Sequence, residues 1–469
     1  MSEKNEPIFE NEEFLELLQK YESMRNSKHS AFFDVEEFEQ IIDYYLDEFQ
    51  YEEASAAAQL GSQQHPASVE IKYKVVHIYL EQGIGKPALG ILDQVPQWEH
   101  SNPEYFFLRG TAFCQTGRIQ EAEKNFDKGL SLSTEDTFDA LLNIGIAFEN
   151  ARQYRHAVKY LEKAHALIPN YLSAIYDLGY FHERLDNYQK SVEYYQKYLD
   201  IDPFSENVWY NLGVAYFKLE QPHKAIEAYD YSLALNPDYA SAFFNKANTY
   251  ASLSEYHLAI ETISEFLEIE PDNPQALMFL GDSYEQTGQL RKALKVYKKL
   301  IEEDNTDPEG WFGAGMVMYQ MSKYDEATIY MLKALEFDNQ NTDYWINLAY
   351  VYEELQKWEE AAKCFGQVVK IDKFDLEAWN SLARLLLLTN MLDKALQVLK
   401  NAVADFPDDA HLAVKMASCH YRLGNRSAGY NFLEMALKKE RKLFVDFLFI
   451  TEDTFLDKNA RKLIERYTK

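Results

Sequence analysis

A chain of 469 residues is too long for one ordinary compact core, so it holds either several domains or an elongated array that grows by adding units. Hydrophobic residues make up 47% and aromatics 15%, with 34 Tyr and 29 Phe, which excludes disorder over most of the length. Acidic residues number 76 against 47 basic ones, and the resulting formal charge of −29 repels a phosphate backbone and an anionic bilayer alike, so neither nucleic acid nor membrane is an expected partner.

Residues 1–34 read as an acidic N-terminal segment with one amphipathic stretch, Phe14, Leu15, Leu17, Leu18 and Tyr21. Two outcomes stand open for it, covering the element that follows or staying mobile. The segment lacks a basic region followed by an apolar one, and no uncharged apolar run approaches ~18 residues, so a cytoplasmic location is expected. Cys114, Cys364 and Cys419 are odd in number and far apart, which argues against a disulfide framework and suits a reducing compartment; they read as buried small hydrophobes.

From residue 35 to residue 443 the chain repeats itself. Twelve units start at 35, 69, 103, 138, 172, 206, 240, 274, 308, 342, 376 and 410, in steps of 34 with one of 35. The clearest copy runs from Glu206 to Tyr239, where Trp209, Leu212, Gly213 and Tyr216 mark one helix and Ala225, Tyr229 and Pro237 mark the second and its exit. Counted from each start, place 20 is small in all twelve units, from Ala54 and Ala88 to Ala395 and Gly429. Place 8 is small in ten, as in Gly110, Gly145, Gly179, Gly213, Gly281 and Gly315. Small residues at both places let paired helices pack at short range, and large ones at places 4, 7, 11 and 24 fill the remaining space at helical spacing. Asn102–Pro103, Asn273–Pro274 and Asp307–Pro308 read as helix caps with proline in the first turn, and Gly83, Gly117, Gly288 and Gly424 as left-handed breakers between paired helices.

These residues resemble the tetratricopeptide repeat family over roughly residues 35 to 443. The resemblance implies an all-α fold, a right-handed α-solenoid superhelix of stacked helix-turn-helix hairpins. Stacked hairpins need solvating ends. Residues 444–469 begin apolar at Phe444, Phe447, Phe449 and Ile450 and turn basic at Lys458, Arg461, Lys462 and Arg466, as a C-terminal capping helix would.

The sequence offers little to an enzyme. The pieces flanking the repeats are too short for a catalytic domain, and no catalytic residues or cofactor are expected. Gly83-Ile84-Gly85-Lys86-Pro87 hints at a phosphate loop but has proline where serine or threonine would hold a metal, so it reads as a turn between helices. No His or Cys set has metal-ligand spacing, and His182-Glu183 lacks a second histidine four residues on, so no metal is expected.

In the family, first helices line the concave side and places 2, 5, 6, 9, 12 and 13 reach into the groove. Place 6 carries Asn143, Asp177, Asn211 and Asn245 in consecutive units and Asn347 later, resembling an asparagine ladder that holds an extended peptide by its backbone. Apolar groove candidates are Tyr176, Tyr180, Tyr210, Phe244, Met278, Phe312, Met316, Tyr319 and Tyr350, bordered by Asp282, Glu285, Asp343, Glu353 and Glu354. The same asparagines are also read as family consensus and the same aromatics as core between hairpins, and both alternatives stand at this point. The carboxylate clamp known in this family is not supported, because Asn248 is the only asparagine at place 9 and the basic residues are missing around it.

The expected function is therefore a non-enzymatic scaffold or adaptor holding a protein or peptide partner with apolar and basic residues. A second reading is head-to-tail self-association into a homo-oligomer, since residues 1–60 hold 16 acids and 4 bases whereas residues 437–469 hold 9 bases and 6 acids. An enzyme with a site assembled between hairpins is the weakest reading.

Overall fold

The computed structural model describes residues 12–26, 31–133, 137–451 and 458–468, and among them there are helices and turns but no strand. The chain divides into two units, Met1–Pro237 and Asp238–Lys469. In the first, α1 (Glu12–Asn26) is followed by α2 (Val35–Asp47) with α3 (Tyr51–Gln64), α4 (Val69–Glu81) with α5 (Gly85–Leu92), and α6 (Pro103–Gln115) with α7 (Ile119–Leu132). Three more pairs complete it: α8 (Thr137–Asn150) with α9 (Tyr154–Leu167), α10 (Leu172–Arg184) with α11 (Tyr188–Ile201), and α12 (Glu206–Lys218) with α13 (Pro222–Leu235). The second unit pairs α14 (Ala240–Ser252) with α15 (Tyr256–Ile269), α16 (Pro274–Gln286) with α17 (Leu290–Glu303), and α18 (Pro308–Gln320) with α19 (Tyr324–Phe337). It continues through α20 (Thr342–Glu354) with α21 (Trp358–Ile371), α22 (Leu376–Leu388) with α23 (Leu392–Asp405), and α24 (Ala410–Arg422) with α25 (Arg426–Lys439), and ends on α26 (Phe444–Thr451) and α27 (Lys458–Thr468). The fold is an all-α solenoid of helical hairpins.

What sets the hairpin geometry is a fit between place 8 and place 24. A Cβ built on Gly110 would lie 2.4 Å from the ring of Phe126, and the same construction on Gly213 and Gly281 falls 2.5 Å from Tyr229 and Tyr297. Glycine is required there because the facing side chain occupies its missing Cβ position. The first hairpin reverses the sizes: Ile42 stands at place 8 and Ala58 at place 24, and both are buried. The alanine column at place 20 is buried throughout, Ala54, Ala225, Ala293 and Ala395 each at 0% exposure.

The turn inside each hairpin passes through the left-handed region at place 15. Four hairpins place Gly83, Gly117, Gly288 and Gly424 there, and the other eight use Phe49, Arg152, Asp186, Glu220, Ser254, Ser322, Gln356 and Asn390 with φ between 56° and 60°. Two backbone bonds close the turn, as where Gln356 N donates to Glu353 O at 2.9 Å and Lys357 N to Tyr352 O at 2.8 Å, so the last carbonyls of the first helix are satisfied. At the entry to first helices, Asn102, Asn273 and Asp307 accept backbone N–H groups as caps. Trp209, Trp311, Trp345 and Trp379, all at place 4, donate their indole N–H to a carbonyl six residues back at 2.8–3.0 Å, which ties each of those turns to the helix it feeds.

The Gly83–Pro87 segment is such a turn. Gly85 opens α5, and a Cβ on it would lie 2.6 Å from the carbonyl oxygen of Ala112, so close approach of α5 to α6 accounts for the glycine. The α5 helix stops at Leu92, short of its counterparts, because Pro96 disfavours helical backbone before it. All three cysteines are free and buried, and burial raises each thiol pKa.

Within the first unit, α1 lies against α2 and α3, burying Phe14, Leu18 and Tyr21 with Phe38 and Tyr45. At the end of the second unit, the single capping helix expected from the sequence is replaced by two. The α26 helix starts 34 residues after Ala410, and Phe447 and Ile450 pack as the next first helix would. It is held by Thr451 Oγ1 to Ser418 Oγ at 3.1 Å and by Arg422 to the Ile450 carbonyl at 3.3 Å. The α27 helix lies against α25, with the Tyr467 hydroxyl donating to Glu434 at 2.8 Å. No helix among the described residues is long and apolar enough to cross a membrane.

Candidate functional site

In the first unit, α8, α10 and α12 are the first helices of consecutive hairpins, and their facing sides enclose an open trough of about 760 Å³. Because each first helix repeats the same register 34 residues on, places 2, 5, 6 and 9 fall on this side together: Asp139, Leu142, Asn143 and Ile146 from α8, Ser173, Tyr176 and Asp177 from α10, and Asn207 from α12. Leu172 of α10, Tyr198 of α11, and Tyr171 and Ser205 of the turns before α10 and α12 complete the lining. Three sequence-predicted residues, Asn143, Tyr176 and Asp177, thus meet in one trough. Asn211 is joined to it, since its side-chain amide donates to the Tyr176 hydroxyl at 3.2 Å.

The lining mixes the carboxylates of Asp139 and Asp177 and the polar Asn143, Ser173 and Asn207 with the apolar Leu142, Ile146 and Leu172. Burial, reinforced by the charge of Glu149, pushes the Asp177 carboxyl up to about 6. Glu149 and Glu183 are also raised by burial, the latter partly offset by a hydrogen bond from Tyr195. Among the described residues Asp177 accepts no hydrogen bond and faces no cation, and the Asn143 amide is likewise unbonded. Ile146 is 49% exposed beside them, a large apolar side chain left open to solvent. A half-buried carboxyl, a free amide and an exposed isoleucine together can accept an N–H, donate to a carbonyl and cover an apolar side chain.

The remaining sequence-predicted residues are placed differently. Tyr210 contacts Tyr229 of its own hairpin at 6.0 Å between ring centroids, and Tyr180 lies under the Arg184 guanidinium at 4.8 Å. In the second unit, Phe244 packs on Phe266 at 5.2 Å and Phe312 on Tyr344 at 4.6 Å, while Met278 and Met316 join the core and Tyr319 meets Tyr324. Tyr350 is 36% exposed and edges on Phe365. The Asn245 main-chain carbonyl accepts from the Thr249 hydroxyl at 2.6 Å, and the Asn347 side chain donates to the Asp343 carbonyl of its own helix at 2.8 Å. Of the acids bordering this stretch, Glu353 is paired with Arg384 at 2.7 Å. Asp282 and Glu285 lie 2.7 and 2.6 Å from the Tyr297 hydroxyl. Asp282 is thus engaged inside its hairpin, and Glu285 also accepts from Gln320 of the next hairpin at 2.6 Å.

Profiles described as tetratricopeptide repeat match residues 142–206, 206–239, 245–308, 280–342, 346–410 and 386–443, which together take in well over half of the chain. The chain belongs to the tetratricopeptide repeat family. No curated protein matches it. Similar solved structures include the MamA protein, at 26% identity over 36% of this chain and 93% of that one with a TM-score of 0.35. A tetratricopeptide repeat protein from Parabacteroides merdae is 18% identical over 52% of this chain and 97% of that one with a TM-score of 0.40. YrrB, described as a TPR protein with an unusual peptide-binding site, is 21% identical over 40% of this chain and 96% of that one with a TM-score of 0.33.

In this tetratricopeptide repeat protein, Asp139, Leu142, Ile146, Ser173 and Asn207 line the trough without having been singled out from the sequence, although places 2, 5 and 9 of the repeat carry the signal for them. Tyr171 and Tyr198 carry no such signal, because they reach the trough from a turn and from a second helix.

Proposed function

We propose that this tetratricopeptide repeat protein is a non-enzymatic adaptor that holds an extended segment of another polypeptide against its first helices, with the trough between α8, α10 and α12 as the principal contact. The observation that carries this reading is the Asp177 carboxyl, half-buried, beside the Asn143 amide and the exposed Ile146, with no partner of its own among the described residues. Partial burial of a carboxylate that no protein donor reaches is unfavourable, as its raised pKa reflects, and an incoming N–H offsets that cost. The partner segment brings a donor to Asp177, from backbone, hydroxyl or a basic side chain, and an apolar side chain to Leu142, Ile146 and Tyr176. The free, buried cysteines suit a cytoplasmic setting.

The test is quantitative capture of cell proteins on immobilised full-length chain, comparing wild type with Asn143→Ala combined with Asp177→Ala. Loss of specific partners with unchanged helicity supports the trough; identical partner sets from both proteins remove it.

A further inference from the structure

A second concavity lies on the face of the second helices, in the Asp238–Lys469 unit. It is a slot of about 490 Å³ between α21 and α23, floored by Trp379, Leu382 and Leu386 of α22. Its α21 wall is the stripe Glu359, Ala362, Lys363, Gly366, Val369 and Lys370, which spans about 16 Å at 1.5 Å per residue. Lys394 and Val398 stand on the opposite wall.

Two features have no account within the hairpin itself. Gly366 lies mid-helix with ordinary backbone and nothing within 4 Å of the place a Cβ would take, so neither conformation nor packing asks for glycine. The same place in other hairpins carries Glu162, Asp230, Lys298, Leu332 or Lys400. The absent side chain leaves unfilled space above Trp379, Leu382 and Leu386, which are themselves only 5–7% exposed. Secondly, three lysines and a single carboxylate rim this slot in a chain whose formal charge is −29, and among the described residues neither Lys363 nor Lys394 is in a salt bridge.

We propose that this slot is a docking site for an amphipathic helix of another protein that carries an apolar stripe flanked by carboxylates. The length of the slot takes about three helical turns, and an apolar stripe laid over Gly366 meets Trp379, Leu382 and Leu386 below. Lysines on both walls face carboxylates on both flanks of such a helix, whereas a single-headed anionic amphiphile engages one end only. This site is independent of the Asp177 trough and does not rest on it.

The experiment is fluorescence anisotropy on the full-length chain with a labelled helical peptide of about four turns, leucine along one stripe and glutamate on both flanks. Saturable binding is expected, weakened about tenfold or more by Gly366→Leu and by Lys363→Glu with Lys394→Glu, and untouched by Asp177→Ala. Gly366→Leu places its side chain in open space, so its melting temperature should equal or exceed that of wild type. Absence of saturable binding overturns the proposal, as does equal affinity for a peptide with lysine flanks, or a Gly366→Leu protein that binds like wild type. Dodecanoate binding in place of the peptide with the same sensitivity to Gly366→Leu overturns it in favour of an anionic amphiphile.

Discussion

A methyl group on Gly110 would lie 2.4 Å from Cε1 of Phe126, inside any tolerated contact between carbon atoms. Gly110→Ala should therefore cost about 1–3 kcal/mol through overpacking. The first hairpin shows the compensating arrangement, since Ile42 and Ala58 carry the large and small members in reverse. Gly110→Ile with Phe126→Ala should recover part of the sum of the two single losses, a coupling that denaturant melts of the four proteins measure directly. Strict additivity would mean that the two residues do not set the helix separation.

The left-handed residue in each turn gives a prediction of opposite signs. Gly288 has φ of +69°, so Gly288→Ala should lose about 1 kcal/mol. Phe49 holds the same conformation at φ 57° while 77% exposed, and Phe49→Gly should gain up to about 1 kcal/mol by relieving it. Paired thermal melts check both.

Asp177 makes stability depend on pH in a defined direction. Its folded pKa of about 6 lies above the unfolded carboxylate value, so its contribution is complete below the ordinary carboxylate range and is lost as pH rises through about 6. Asp177→Asn should thus melt higher than wild type at about pH 7.5 and alike at about pH 4. A variant that melts lower at the higher pH would show that a donor already pairs this carboxyl.

Lys415 behaves in the converse way. It is 8% exposed, its ammonium donates to Asn380 at 2.7 Å, and burial brings its pKa down to about 8. The neutral form is favoured by folding, so the contribution is complete above the ordinary lysine range and is lost as pH falls through about 8. Replacing the buried ammonium by Lys415→Met should raise stability by about 1–3 kcal/mol at about pH 7, with a smaller gain at about pH 10. Calorimetry at the two pH values distinguishes this from a simple packing effect, which would be the same at both.

How much of this was legible beforehand follows from the kind of signal each residue carries. The alanine column and the glycines at place 8 repeat every 34 residues and are chemically distinctive, so the hairpin and its close packing could be read directly. The left-handed turn could be read only where it is glycine: Phe49, Arg152 and Glu220 adopt it because the helices on either side impose it, not because of their own preference. Asn143, Tyr176 and Asp177 share one face because they share one register, and Tyr176, like Tyr210 and Phe312 at its own place of the repeat, also packs on a neighbouring ring. The slot at Gly366 depends on how two second helices diverge, which no local pattern encodes.

The measurement that bears most directly on the adaptor reading is photo-crosslinking from a benzophenone side chain placed at Ile146, with a control at Tyr231, a residue 57% exposed on a second helix. The expected result is an adduct between position 146 and another polypeptide, abolished by Asp177→Ala and absent from position 231. Equal adducts from both positions, or adducts at 146 that contain only a second copy of this chain, would contradict it.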